Sequence, residues 1–147
     1  GRDQIPRLLE ICARLSGQLT NLSELGRAIG RDHKTAGQYL SVLEQIYLVR
    51  AVQPWARNEL SRLVKTPKLH FVDSGLLAAL RGYSIARLRA DRGLLGSLLE
   101  SVVFSELLKA AAWSKEQVSI FHYRDKDQLE VDFVLENSAG QIIGIEV

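Results

Sequence analysis

Three acidic residues in the second half of the chain have the type and placement needed to hold a divalent cation. Asp132 and Glu146 each interrupt an otherwise apolar strand-like run, and Glu100 lies in the helical segment that precedes them. Alternate side chains of a strand share a face, so both strand carboxylates point the same way if the mixed faces of the two strands coincide. Oxygen ligands suit Mg²⁺ or Mn²⁺, and Mg²⁺ beside a phosphodiester would polarise the phosphate and orient a water. Glu100, Asp132 and Glu146 are therefore candidate catalytic and metal-binding residues.

Electrostatic repulsion sets a condition on such a cluster. Two carboxylates about 4 Å apart repel by roughly 4 kcal/mol at an effective dielectric of about 20. A proton, a basic side chain or a divalent cation must offset that repulsion. Spacing alone favours the simpler alternative, in which Asp132 and Glu146 are strand residues paired with Lys or Arg. The histidines and Cys12 show no zinc-ligand spacing.

A second set of residues could contact a polyanion. Residues 1–68 contain 11 Lys and Arg against 6 Asp and Glu, whereas residues 69–147 contain 8 against 11. A basic half can favour a polyanion by neutralising phosphates, although two solvated surfaces would give the same counts. The candidate nucleic-acid contacts are Arg31, His33, Lys34, Thr35, Gln38, Arg57, Arg62 and Lys65.

Helices followed by two strands make up the predicted first half. Apolar spacing predicts helices over residues 4–15 and 22–29, with Gly30 able to end the second and Asp32 able to cap a third. Strand-like runs follow at 47–52 and 68–72. That order is typical of a winged helix-turn-helix, which we predict for residues 1–72. The third helix would be the recognition helix, with its N-terminal residues near base edges or phosphates. Many winged helices bind only protein, so that alternative stays open.

A long helix and three strands make up the predicted second half. Residues 73–93 form a predicted connector, and residues 94–113 carry the broad apolar stripe of a helix. Strand-like runs at 118–124, 129–136 and 141–147 are joined by short, turn-forming segments, which favours an antiparallel meander. The predicted fold class is α+β, with a winged helix at 1–72, a connector at 73–93 and a helix plus three-stranded antiparallel sheet at 94–147.

The composition indicates the class of protein and the compartment in which it is expected. The chain has 147 residues, of which 46% are hydrophobic and 24% charged, as in typical globular proteins. No apolar run approaches the roughly 20 residues needed to cross a bilayer, so we expect no membrane partner. The single cysteine, Cys12, cannot form an internal disulfide, which favours a reducing, cytoplasmic location. The chain lacks methionine and ends within a strand-like run, so we expect further sequence beyond both ends.

Several ordered segments carry a resemblance to a known family. They are residues 96–107 (GSLLESVVFSEL), 122–127 (HYRDKD), 130–135 (EVDFVL), 145–147 (IEV) and 67–76 (PKLHFVDSGL). With the preceding helical segments, they resemble the C-terminal domain, of uncharacterised function, of bacterial and archaeal AAA+-type ATPases. The resemblance implies a restriction-endonuclease-like fold in the last part. The signature of that fold is an acid on a helix, an Asp on one strand and Glu-x-Lys on the next.

The match to that signature is incomplete in this chain. Glu100, Asp132 and Glu146 match the three acids, whereas the lysine would follow Val147. The ATPase domain of the family would precede Gly1. Since the chain contains no Gly-x-x-x-x-Gly-Lys-Ser/Thr phosphate loop, we expect ATP to bind only in that missing N-terminal part.

Three functions follow from these patterns. The first is a DNA-binding module with a nuclease-like, Mg²⁺-dependent site that is inactive in this fragment. The second is a non-catalytic adaptor that contacts its own ATPase domain and another protein. The third is a DNA-binding regulator that uses only the winged helix.

Overall fold

The computed structural model describes residues 4–56 and 65–147. Over these residues the chain forms six α-helices and two three-stranded antiparallel sheets, which confirms the predicted α+β class. The helices are α1 (Gln4–Leu15), α2 (Leu22–Ile29), α3 (His33–Gln45), α4 (Ser74–Leu80), α5 (Ile85–Ala90) and α6 (Leu95–Trp113), with a 3₁₀ turn at Arg92–Leu94. The strands are β1 (Gln18–Leu19), β2 (Val49–Val52), β3 (Lys68–Phe71), β4 (Val118–Arg124), β5 (Glu130–Asn137) and β6 (Ile142–Ile145).

Local capping fixes the start of α2 and α3. The side chain of Asn21 accepts a hydrogen bond from the backbone N–H of Glu24 at 2.7 Å. Gly30 ends α2 at φ 67°, in the left-handed region that favours glycine. Asp32 Oδ1 accepts hydrogen bonds from the N–H groups of the second and third residues of α3, at 2.9 and 3.0 Å. The helix therefore begins at His33.

The first sheet lies against the helices of the first half. Its strand order is β1-β3-β2, with both pairs antiparallel. Leu8 of α1, Leu25 of α2 and Leu43 of α3 are buried in one apolar cluster with Phe71 of β3. Cys12 belongs to the same cluster and is fully buried, which raises the pKa of its thiol to about 12.

The second sheet is the predicted meander, in the order β4-β5-β6. Both strand pairs are antiparallel, and β4 carries a bulge between Phe121 and Tyr123. Helix α6 covers this sheet, and Phe104 of α6 stacks on Phe133 of β5 with 5.9 Å between ring centroids. Val52 at the end of β2 is buried in the same cluster. The core of the second half therefore includes a residue from the first.

Backbone hydrogen bonds join the two sheets directly. The N–H of Trp55 donates to the carbonyl oxygen of His122 at 2.7 Å, and the N–H of His122 donates to Gln53 at 3.0 Å. The indole N–H of Trp55 also donates to Glu136 Oε2 at 3.2 Å. These contacts place the C-terminal end of β2 beside β4 and β5, and Lys68 at the start of β3 pairs with Val52 at that end of β2. Over the described residues, no helix is long and apolar enough to span a bilayer.

A candidate acid–lysine site at the junction of the two sheets

Lys68 lies at the centre of a group of three carboxylates from the second half of the chain. Its Nζ donates to Glu130 Oε1 at 2.6 Å and to Asp132 Oδ1 at 3.1 Å, both on β5. Glu100 Oε2, on α6, lies 3.6 Å from the same nitrogen. Only 4% of the Lys68 side chain is exposed. We call Lys68, Glu100, Glu130 and Asp132 the acid–lysine cluster.

Strand alternation explains how two acids of this cluster reach one cation. Residues two apart on a strand share a face, so Glu130 and Asp132 both project from the same side of β5 toward β3. Arg124 Nη1, on the neighbouring strand, lies 3.5 Å from Glu130 Oε2 and adds a second positive charge. Three carboxylates then face two cations, which leaves one negative charge in excess.

Glu146, the third predicted acid, lies outside the acid–lysine cluster. Its side chain is exposed and makes no hydrogen bond or ion pair with the described residues. The backbone next to Glu146 nevertheless contacts the cluster: the N–H of Val147 donates to Asp132 Oδ2 at 3.0 Å. The structure therefore brings together two of the three predicted acids and adds Glu130.

The charge states in the cluster follow from burial and pairing. Burial would lower the pKa of Lys68, but its hydrogen bond to Glu130 and the charges of Glu100 and Asp132 raise that pKa above its usual value. Lys68 is therefore charged. Burial raises the pKa of Glu100; Lys68 opposes that rise, while the charge of Asp132 adds to it. Glu100 Oε2 is buried and has no hydrogen-bond partner in the part of the chain that the structure describes.

Two buried histidines lie beside the cluster and were not predicted as site residues. His70 is fully buried between Phe104 and Phe133, with ring centroids 5.0 and 5.1 Å away. Neither of its ring nitrogens has a hydrogen-bond partner among residues 4–56 and 65–147, and burial, with a smaller contribution from Lys68, lowers its pKa to about 3. His122 Nε2 donates to the carbonyl oxygen of Thr66 at 3.0 Å, and burial lowers its pKa. For His70, the available sequence signal was the alternation of the polar residues Lys68 and His70 with apolar residues in the run KLHF.

The chemistry of the donor set fits a hard divalent cation. Glu100, Glu130 and Asp132 offer only carboxylate oxygens, which Mg²⁺ prefers, and the buried Oε2 of Glu100 accepts no hydrogen bond from the described residues. The present geometry is instead satisfied by the ammonium group of Lys68. Within residues 4–56 and 65–147, no group of three His, Cys, Asp or Glu side chains is arranged to hold a metal ion.

The candidate nucleic-acid contacts lie mostly on the surface of α3. His33, Lys34 and Gln38 are exposed in its first two turns, and Arg31 is exposed just before the helix. Thr35 is half-buried, and its hydroxyl donates to Asp32 Oδ2 at 2.8 Å. Lys65 is exposed ahead of β3, whereas Arg57 and Arg62 lie outside the described residues.

Comparison with known proteins adds family relationships without a described activity. Residues 95–147 match the family profile named Domain of unknown function (DUF4143). The chain is 31% identical over 142 residues to Uncharacterized protein Mb2031c of Mycobacterium bovis and, equally, to Uncharacterized protein Rv2008c of Mycobacterium tuberculosis. The match covers 96% of this chain but only 31% of each relative, so the chain spans about a third of their length. No solved structure matches significantly. Residues 1–87, more than half of the chain, match the profile named Domain of unknown function (DUF8612), and the protein belongs to that family.

Proposed function

We propose that this chain is a DNA-binding module of an AAA+-type ATPase and that the acid–lysine cluster is a phosphodiester-cleaving site. In this proposal residues 1–72 are a winged helix-turn-helix and residues 94–147 a restriction-endonuclease-like domain. The observation that carries it is the approach of Glu100 and Asp132, from separate elements, to the same lysine nitrogen. The family resemblance implies three acids and a lysine for phosphodiester hydrolysis, and two of those acids, Glu100 and Asp132, meet a lysine here.

Each residue of the cluster has a definable role in that chemistry. Glu100, Glu130 and Asp132 offer the carboxylate oxygens that Mg²⁺ would need, and these oxygens now face the ammonium group of Lys68. Mg²⁺ bound there would polarise a phosphate oxygen and lower the pKa of a water. The ammonium group of Lys68 would donate hydrogen bonds to the phosphate as its negative charge grows. Lys68 comes from β3, so it would supply the lysine function from the first half of the chain. Val147 holds Asp132 Oδ2 through its backbone N–H.

The first half of the chain would bind duplex DNA through α3. The side chain of Asp32 is engaged in capping, and Lys34 and Gln38 are exposed on the first two turns. A lysine at this end of a recognition helix contacts phosphates, whereas an amide side chain can read base edges. The basic balance of residues 1–68 supports a polyanion as the partner.

Cleavage of supercoiled plasmid by the longest available protein that contains this chain tests the proposal. We expect cleavage with Mg²⁺, none with EDTA, and loss of cleavage in Asp132→Asn. The matched control is Asp127→Asn, which changes an exposed aspartate in the β4–β5 turn. Cleavage that persists in Asp132→Asn would come from a contaminant and would refute the nuclease site. Mn²⁺ binding followed by electron paramagnetic resonance gives a second measurement, independent of turnover.

A non-catalytic adaptor is the second candidate function, and one observation favours it. Lys68 already neutralises much of the charge of the three acids without a metal ion. An adaptor would use the cluster only to fasten the two sheets together. It predicts that Mn²⁺ neither binds nor shifts the thermal unfolding temperature, whereas the nuclease proposal predicts binding that Asp132→Asn abolishes.

A further inference from the structure

Four arginines fall within twelve residues between α4 and α6, outside the predicted winged helix. They are Arg81, Arg87, Arg89 and Arg92, and the last three are exposed. Asp91, the only acid between residues 81 and 92, uses Oδ1 to accept the N–H of Gly93 at 2.9 Å. Within the described residues, no carboxylate forms an ion pair with any of the four arginines. We call residues 81–92 the arginine segment; its formal charge is +3.

Two of these guanidinium groups are held on one aromatic ring. The Cζ atoms of Arg81 and Arg87 lie 5.4 and 5.7 Å from the centroid of Tyr83. Arg81 Nε donates to the hydroxyl oxygen of Tyr83 at 3.0 Å, and Arg87 Nη1 donates to the carbonyl oxygens of residues 81 and 82. Two cations are thus fixed on one ring, and no carboxylate of the described residues pairs with either of them. A bound anion would relieve their repulsion and would find donors that have already lost much of their freedom.

Arg89 and Arg92 are neighbours on the same surface. They line one shallow cavity of 570 Å³, whose remaining described lining is Ile85, Leu88 and Leu95. Neither side chain makes a hydrogen bond with the described residues, so both guanidinium groups are free to bind a ligand. Planar guanidinium groups can donate two parallel hydrogen bonds to a phosphate, which suits them to a phosphodiester backbone.

The arginine segment leads directly to the acid–lysine cluster. The 3₁₀ turn that contains Arg92 runs into α6, and Glu100 follows Leu95 by five residues, a rise of about 8 Å along the helix. The cluster together with Arg124 has one negative charge in excess and would repel a phosphodiester. Arginines in the segment that leads into α6 would offset this repulsion and hold the DNA strand on the side from which α6 begins.

We propose that the arginine segment binds the phosphodiester backbone of duplex DNA, as a contact surface separate from α3. The inference rests on the proposed DNA-binding function and assigns part of that binding to residues that the winged helix does not contain. DNA is favoured over an acidic protein because the unpaired arginines adjoin a site proposed to act on phosphodiesters.

The experiment measures the affinity for a short fluorescein-labelled DNA duplex by anisotropy at several salt concentrations. The test variant is Arg89→Gln/Arg92→Gln. The matched control, Arg7→Gln/Arg14→Gln, removes two exposed arginines of α1, which adjoin Glu10 at the surface. If Arg89 and Arg92 each neutralise one phosphate, the slope of log K against log salt falls by about 2. We expect at least about a tenfold loss of affinity at low salt in the test variant and little change in the control.

Three outcomes would overturn the inference. Equal losses in the two double variants would indicate a general effect of charge, and unchanged affinity in the test variant would exclude the arginine segment from the interface. In both cases the DNA-binding function survives if Lys34→Gln weakens binding. If the unsubstituted protein does not bind the duplex at all, the proposed function fails and the inference fails with it. Thermal unfolding of each variant verifies that the fold is retained.

Discussion

Lys68 Nζ lies 3.1 Å from Asp132 Oδ1, so that a cation of β3 in the first sheet is bonded to an acid of β5 in the second. Both groups are largely shielded from solvent, with 4% and 13% of their side chains exposed. Removal of one partner of such a charge pair strongly destabilises the fold, because the other charge is left buried and unpaired. The pair therefore links the stability of the two sheets.

Replacement of Lys68 by methionine is expected to destabilise the fold. Lys68→Met keeps an unbranched side chain that is only one atom shorter but leaves three carboxylates without their shared cation. We expect a loss of about 3 kcal/mol in the free energy of unfolding, measured by urea denaturation at pH 7. The control is Lys109→Met, at the exposed pair with Glu106, which should change stability by less than about 1 kcal/mol. Similar effects of the two substitutions would show that the acid–lysine cluster does not stabilise the junction.

Glu100→Gln is expected to increase stability at neutral pH. Burial raises the pKa of Glu100 above its usual value of 4.5, so the folded state binds this proton more tightly than the unfolded state. The stabilisation from that proton is complete below the unfolded pKa and is lost as pH rises through the folded pKa. At pH values above the folded pKa, Glu100 is ionised and its burial costs stability. A neutral glutamine at this position avoids that cost. The variant should be more stable than wild type at pH 7, with the difference shrinking as pH falls toward 4.5.

That pH dependence can be checked by urea denaturation at several pH values between 4 and 8. Glu106→Gln, which changes an exposed acid on the same helix, is the control and should show no comparable gain at pH 7. A variant of Glu100 that loses stability at pH 7 would contradict the raised pKa. It would indicate that the contact with Lys68 outweighs burial.

His70→Phe is expected to reduce the sensitivity of the fold to acid. Burial lowers the pKa of His70 from 6.5 to about 3, so the unfolded chain takes up this proton first as pH falls. Stability from neutral His70 is present above pH 6.5 and is lost as pH falls toward 3, by at most about 1.4 kcal/mol per pH unit. Removing the histidine removes this component of the slope, and phenylalanine preserves the ring between Phe104 and Phe133.

Urea denaturation between pH 7 and pH 4 measures that slope. His33→Gln changes an exposed histidine at the start of α3 and should leave the profile as in wild type. If His70→Phe shows the wild-type slope, acid sensitivity arises elsewhere in the protein.

Lys34→Gln is expected to weaken duplex DNA binding to a similar degree for different sequences. A lysine that contacts a phosphate contributes about one unit to the slope of log K against log salt, and the variant should lose that unit. Gln38→Ala should instead reduce discrimination between sequences, because an amide side chain reads base edges. Anisotropy with two unrelated duplexes distinguishes the two effects. Lys115→Gln, an exposed lysine after α6, is the control; an equal loss there would exclude a specific role for Lys34.

Features set by neighbouring residues were predictable from the sequence. Gly30 and Asp32 mark the end of α2 and the start of α3 because a left-handed glycine and a capping carboxylate act on the adjacent backbone. The meander followed from short, turn-forming segments, which leave adjacent strands little choice but antiparallel pairing. The shared face of Glu130 and Asp132 followed from strand alternation.

The composition of the candidate site was decided by tertiary packing. The sequence required a counter-charge for the predicted acids and left open whether a proton, a metal or a basic side chain supplies it. Lys68 supplies it only because β3 packs beside β5 and α6. This packing brings Lys68 to Glu130 and Asp132, which lie 62 and 64 positions further along the chain. Glu146 is excluded from the acid–lysine cluster although it stands one residue from Val147, whose N–H reaches Asp132. Local sequence sets which face of an element a side chain shares, but the packing of distant elements determines which charges meet on that face.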